Sequence, residues 1–300
     1  MYILFAFLAL FSSVGNTIFN RISSDKIGTI LSATLKSFFI TLACFLICLA
    51  HGHFNSLYSL TNEQWLWVGI LSLVTVVDWI FYFLAIKRSH LEAFAPFESS
   101  YILFISNLLF VFFMVGVVTG GGSPLNIALF IIGLAFLLAS TLYAVLNKKI
   151  NPKKSIAWII FALISGTALA FTFVIVKIKL QGVESDVIAF HQMLFVFGSC
   201  LICLLFSKGK KEIKNLKFRT YFNFFISAVF NAGLMVFRYR AFASEHAVPS
   251  IINVIIGLDF VFVSIATVLF FKEKNKKQLI TLISLIVTGM ILITLPALIQ

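Results

Sequence analysis

Ten uninterrupted apolar runs, each about the length a helix needs to cross a bilayer, constrain this chain more than any other feature. They occupy residues 2–19, 28–50, 65–86, 93–117, 124–146, 156–176, 186–206, 220–237, 248–271 and 277–298. Roughly 20 mostly apolar residues in helical form cover about 30 Å of hydrocarbon. The runs are continuously apolar rather than alternating, which excludes a β-barrel. Short connections leave no room for a soluble domain between them. Only 11% of the 300 residues are charged and 61% are hydrophobic, whereas a soluble domain carries about 25% charged residues. The first run lacks a basic leading segment and a small-residue cleavage site, so it reads as a retained helix. The expected fold is an all-α integral membrane bundle of ten transmembrane helices.

The formal net charge is +12, and its placement points to topology rather than to nucleic acid. Of 23 Lys and Arg, 18 fall in alternate connections, at 20–27, 87–92, 147–155, 207–219 and 272–278. That asymmetry is the positive-inside pattern. It predicts a multi-pass protein of the cytoplasmic membrane, with these connections in the cytoplasm beside anionic lipid head groups and both termini outside. All four cysteines lie within apolar runs and read as small hydrophobes. The Cys200-Leu-Ile-Cys203 spacing has no second ligand pair nearby, so neither a metal nor another cofactor is expected.

The chain also resembles itself. "LACFLICL" (42–49) aligns with "GSCLICLL" (198–205) at an offset of 156 residues. The same offset sets Ala85-Ile86 on Ala241-Phe242 and His90 on His246. It also superposes the third run on the eighth and the fifth on the tenth. Two halves follow, 1–150 and 151–300, joined by "NKKINPKKS". An odd number of spans per half inverts the second relative to the first. Inverted five-helix repeats point to a transporter with its site near the bilayer midplane, between the halves.

The segment from Tyr239 to Ile293 resembles the end of an EamA-type repeat of the drug/metabolite transporter superfamily. The matching features are the small-residue junction Ala241–Pro249, the long apolar span after it, and "FFKEK" with Glu273. In the first half "LAIKRSHLEAFAPFESSYILF" fits the corresponding junction. Val117 stands where the counterpart of Glu273 would fall, and "FSSVGNTIF" stands in place of the family's Trp-Gly pair. The resemblance implies a ten-helix carrier of small metabolites working by alternating access; it implies no particular substrate.

Polar residues inside the runs are the candidate site. Asp78 interrupts "LVTVVDWIFYF", and a carboxylate at a helix centre costs roughly 2.5–3.5 kcal/mol on insertion scales. It must therefore face the bundle interior, a wet cavity or a cation. Thr75, Asp78 and Tyr82 share one helical face. The other candidates for binding substrate or a proton are Asn16, Lys36, Trp79, Glu98, Asn231, Arg238, Asn253 and Asp259. Trp79 and Tyr82 offer ring faces to a cation; Arg238, read as ending the eighth run, offers a carboxylate fork. Lys36 is read either as a site residue or as the buried partner of Asp78. Asn253 and Asp259 are six residues apart, about 600° of helical rotation, and so are expected to point in different directions.

Three carboxylates against one lysine favour a cation, a zwitterion or a proton. The resulting expectation is a secondary transporter of an amino acid or organic cation, monomeric or homodimeric, with membrane lipids as its other partners. Two alternatives stand beside it: a sensing or assembly subunit that transports nothing, and an intramembrane enzyme. The enzyme reading finds no phosphate-binding loop, no zinc-protease motif and no aspartyl-protease pair, since Val precedes Asp78 and Leu precedes Asp259.

Overall fold

The computed structural model describes residues 1–24, 27–88, 91–118, 124–147, 156–207, 209, 212–213, 216–244, 247–271 and 276–298. Its helices are α1 (Tyr2–Ser24), α2 (Thr29–Ala50), α3 (Asn62–Arg88), α4 (Leu91–Val118), α5 (Pro124–Leu146), α6 (Ile156–Lys179), α7 (Ser185–Phe206) and α8 (Phe218–Ala243). They continue with α9 (Pro249–Gly257), α10 (Asp259–Phe271) and α11 (Lys276–Leu298), and a single 3-10 turn, Asn55–Tyr58, lies between α2 and α3. Among the described residues, eight helices are long and apolar enough to cross a membrane. The fourth and ninth runs contribute shorter apolar stretches, Phe97–Phe112 and Pro249–Ile265. The protein is an all-helical membrane bundle. Glu273, Val117, Glu245, His246 and His90 lie outside the described residues or side chains.

Apolar runs become helices because hydrocarbon offers no partner for a free N–H or C=O, and only the helix satisfies both within the segment. The hydroxyls scattered through the runs follow the same logic. Ser37 Oγ donates to the Ala33 carbonyl at 2.8 Å, Ser72 to Val68 at 2.6 Å and Thr294 to Met290 at 3.0 Å. Each donates one turn back, so it needs nothing from its surroundings. Side chains such as Phe11, Leu46, Leu73, Phe112, Ile131 and Phe206 are exposed. Apolar exposure on that scale marks the surface that lipid covers.

The helices pair in a pattern that survives exchange of the two halves. The broadest contacts are α1 with α8 and α3 with α6, equivalent pairs at the 156-residue offset. Contacts of α2 with α8 and of α3 with α7 form a second such pair, while α2–α7 and α5–α11 bring equivalent helices together. At the α5–α11 contact Gly133 meets Gly289, also 156 residues apart. A Cβ on Gly133 would stand 2.8 Å from the Gly289 carbonyl oxygen and 3.0 Å from the Ile293 nitrogen. Small residues let helix backbones approach this closely where lipid supplies no hydrophobic drive for association.

Two runs depart from the sequence reading. The ninth is not one helix. It breaks at Leu258, whose N–H bonds to the carbonyls of Val254 at 3.1 Å and Ile255 at 3.3 Å before α10 starts at Asp259. Gly257 lies against α4 and α11 there, and an added Cβ would meet Leu103 Cδ1 at 2.9 Å and Met290 Cε at 3.0 Å. The eighth helix extends to Ala243, beyond the expected end at 237, so Arg238 lies inside the helix and not at its terminus.

Gly133→Ala therefore drives a methyl into the backbone of α11. Overpacking of this kind costs about 1–3 kcal/mol, and the purified variant is expected to melt several degrees below wild type in detergent. An unchanged melting temperature would mean that α5 and α11 do not rely on this approach.

Candidate functional site

A cavity of about 160 Å³ opens among α1, α2, α3, α4, α6, α7, α8, α9 and α10. At about 30 Å³ per water it has room for roughly five waters or one small metabolite. All ten residues singled out from the sequence line it: Asn16, Lys36, Asp78, Trp79, Tyr82, Glu98, Asn231, Arg238, Asn253 and Asp259.

Asn253 and Asp259 do not diverge as expected: both line the same chamber, on either side of the turn at Leu258. Asn253 also donates to Ser106 Oγ on α4 at 3.2 Å.

Asp78 and Asp259 are each held by a serine of another helix. Ser165 on α6 donates to Asp78 Oδ1 at 2.5 Å. Ser13 on α1 donates to Asp259 Oδ2, and Ser99 on α4 lies 3.5 Å from Asp259 Oδ1. These bonds compensate part of the cost of burying an ionised group. The cations rest on aromatic faces. Lys36 Nζ lies 5.3 Å from the Trp79 centroid and 6.0 Å from that of Phe83, and Arg238 Cζ lies 4.7 Å from the centroid of Phe173. Cation–ring attraction is strongest where the pair is desolvated.

The charges do not neutralise one another directly. Among the described residues, neither Lys36 nor Arg238 comes within 4.0 Å of Asp78, Glu98 or Asp259. Lys36 makes no direct ion pair with Asp78, and it lines the chamber. The Arg238 Nε is buried without a hydrogen-bond partner among the described residues. Three carboxyl groups and two cations thus face one chamber.

A second network joins three helices at the chamber wall. Tyr239 on α8 donates to Gln192 Oε1 at 2.5 Å, and Gln192 Nε2 on α7 donates to Thr75 Oγ1 on α3 at 2.6 Å. Asn20 Nδ2 on α1 donates to the Tyr82 hydroxyl at 3.0 Å. Ser13, Thr17, Ser99, Thr172, Gln192 and Tyr239 line the chamber without having been picked as site residues. Their pattern held a weak signal only in Ser13, three residues before Asn16 and so on the same face.

Fold and cavity together define a polytopic membrane protein with a charged internal chamber. Within that class, residues 156–295 match the EamA-like transporter family. One solved crystal structure of another protein superposes with a TM-score of 0.67 at 17% identity, covering 98% of this chain and 96% of its own. That similarity is one of fold. No match was found among curated proteins.

Removing either end of the Tyr239–Gln192–Thr75 chain should cost about 0.5–1.5 kcal/mol of stability. Because the bonds share Gln192, Tyr239→Phe and Thr75→Val are expected to be non-additive when combined. Fully additive melting shifts would show that the two bonds are not coupled.

Proposed function

We propose that this protein is a secondary transporter that moves a small zwitterionic or amine metabolite, an amino acid or organic cation, by alternating access of the central chamber. The observation that carries the reading is the coexistence of Asp78, Glu98 and Asp259 with Lys36 and Arg238 around one cavity of about 160 Å³, without ion pairs among them. A substrate amine would meet the carboxylates, and its carboxylate would meet Arg238 in the fork geometry that guanidinium favours. The volume suits an amino acid better than a large drug.

The position of the chamber supports the two-repeat reading. Lys36 and Gln192 are 156 residues apart, as are Thr75 and Asn231, Asp78 and Leu234, Tyr82 and Arg238, and Phe83 and Tyr239; every one of these lines the cavity. A chamber built from equivalent positions of both halves is what rocking of one half against the other would expose alternately. A carboxylate such as Asp78 or Glu98 would carry the coupling proton if the transport is proton-driven.

Orientation follows from charge. The cations on the face opposite the basic connections are engaged within the chain. Lys177 Nζ donates to the carbonyl of Phe242 at 2.9 Å, Lys179 lies 5.0 Å from the Trp67 ring, and Arg240 lies 3.0 Å from His51 Nδ1. The 18 Lys and Arg of the alternate connections then favour a cytoplasmic location for their own face, with both termini outside. Against the enzyme alternative, Asp78 and Asp259 bond to serines of different helices and not to each other. A proton-sharing carboxylate dyad needs the two in contact.

The test is uptake into proteoliposomes containing only this chain, with amino acids and organic cations, with and without a proton gradient. Wild type is expected to move a substrate. Asp78→Asn should lose most gradient-driven accumulation. Arg238→Ala should lose carboxylate-bearing substrates while retaining simple amines. Equal transport by all three proteins would remove both residues from the site. Absence of transport by a folded wild type across the whole panel would favour the non-transporting subunit.

A further inference from the structure

A second group of ligating side chains lies away from the chamber, where the connection after α2 meets the start of α7. The end of α2 shapes it. Gly52 N–H bonds to the Leu49 carbonyl at 3.1 Å and His53 N–H to the Cys48 carbonyl at 2.9 Å, with Gly52 at φ 74°. This is the paired closure that ends a helix through a left-handed residue, a conformation that favours glycine. It places His51 and His53 on either side of Gly52, and both rings turn to one carboxylate. His51 Nδ1 lies 3.0 Å from Asp186 Oδ2; His53 Nδ1 lies 3.0 Å from Oδ1 and 2.9 Å from Oδ2. Asp186 belongs to the first turn of α7 and is wholly buried, whereas the two imidazoles keep partial access to solvent.

The contacts around His51 are frustrated. Its Nδ1 lies 3.0 Å from a carboxylate oxygen and also 3.0 Å from Arg240 Nη2. A neutral imidazole nitrogen either donates or accepts. If it accepts from Arg240 its lone pair faces Asp186, and if it donates to Asp186 its hydrogen faces the guanidinium. A cation bound jointly by the nitrogen and the carboxylate removes the conflict.

We infer that His51, His53 and Asp186 form a binding site for a divalent transition-metal ion of the zinc class, for which the Arg240 guanidinium is the internal competitor. Two imidazoles and a carboxylate are a ligand set that suits zinc, nickel or copper rather than magnesium or calcium. One ligand atom from each residue lies within 4.8 Å of the other two. A tetrahedral zinc with bonds near 2.0–2.1 Å needs its ligand atoms about 3.3 Å apart, so the closest contacts must spread by a few tenths of an ångström and any pair as wide as 4.8 Å must draw in. Glu184 Oε2, 3.9 Å from His53 Nε2, is placed to orient the ring by its far nitrogen, as outer-shell carboxylates do. Arg240, at the partly exposed end of α8, can withdraw when the ion enters. The ion would tie the α2–α3 connection to α7, one segment from each half. Its binding does not depend on what the chamber carries.

The test uses the full chain in detergent, purified without a histidine tag and titrated calorimetrically with zinc chloride. Wild type is expected to bind one equivalent and to melt at a higher temperature with zinc. His51→Ala and the combined His51→Ala/His53→Ala variant should weaken binding by about tenfold or more. Arg240→Ala should tighten it, which a merely structural role for these histidines would not produce. The zinc-induced rise in melting temperature, measured for each variant against its own zinc-free form, should shrink in both histidine variants. Magnesium should not compete. Zinc binding by the double variant equal to that of wild type, or no binding by wild type, would overturn the assignment.

Discussion

The cost of placing charge in hydrocarbon governs this molecule. Five charged side chains, on α2, α3, α4, α8 and α10, lie in apolar helices that could otherwise turn in many ways. Each is several kcal/mol more expensive facing lipid than facing a polar interior. Directing all five to one chamber fixes the rotation of five helices at once, and the apolar faces left over become the lipid-facing surface. The serines that bond Asp78 and Asp259 come from α6, α1 and α4. Through Ser165 and Ser13 the chamber also sets α6 and α1, which carry no charge there.

The framework around the chamber is repeated while its chemistry is not. Gly133 and Gly289 occupy equivalent positions and press their backbones together between α5 and α11. The lining positions are equivalent too, but Lys36 faces Gln192 across the equivalence, Asp78 faces Leu234, and Tyr82 faces Arg238. Packing positions tolerate few residue types, because a methyl in the wrong place meets backbone. A lining position that meets solvent or ligand is freer to change. The first-half positions hold Lys36, Asp78 and Glu98, the second-half ones Arg238 and Asp259. A ligand with opposite charges at its ends therefore meets different surroundings on its two sides.

Helix content and the charged candidates were legible because both signals are local. A twenty-residue apolar run declares a span, and a carboxylate within it must find a polar environment wherever the neighbouring helices lie. What stayed hidden depends on distance along the chain. Ser165 and Ser13 resemble the many hydroxyls that merely bond one turn back, and nothing in their own segments points to Asp78, 87 residues away, or Asp259, 246 away. The break in the ninth run was concealed for a different reason. Its flanks are as apolar as an unbroken span, and Gly257 alone gives no warning, since transmembrane helices carry glycine freely. Rotation along one helix sends Asn253 and Asp259 apart, yet the chamber is broad enough to be lined by both. His51-Gly52-His53 is visible as a spacing, but its carboxylate comes from the other half of the chain.

Helix α7 connects the two polar regions. Asp186 in its first turn holds the histidines of the α2–α3 connection, and Gln192, six residues on, bridges Tyr239 and Thr75 at the chamber wall. A helix is stiff over that distance, about 9 Å at 1.5 Å per residue. Displacement of its first turn must therefore be shared by the Gln192 bonds or absorbed by breaking one of them. Gln192 has one amide oxygen and one NH₂, and each already serves a different helix. Any rearrangement that separates α3 from α8 has to choose which bond α7 keeps, and the polar groups released can remain only where water reaches them. Gln192, Tyr239 and Thr75 all line the chamber, which has room for such water.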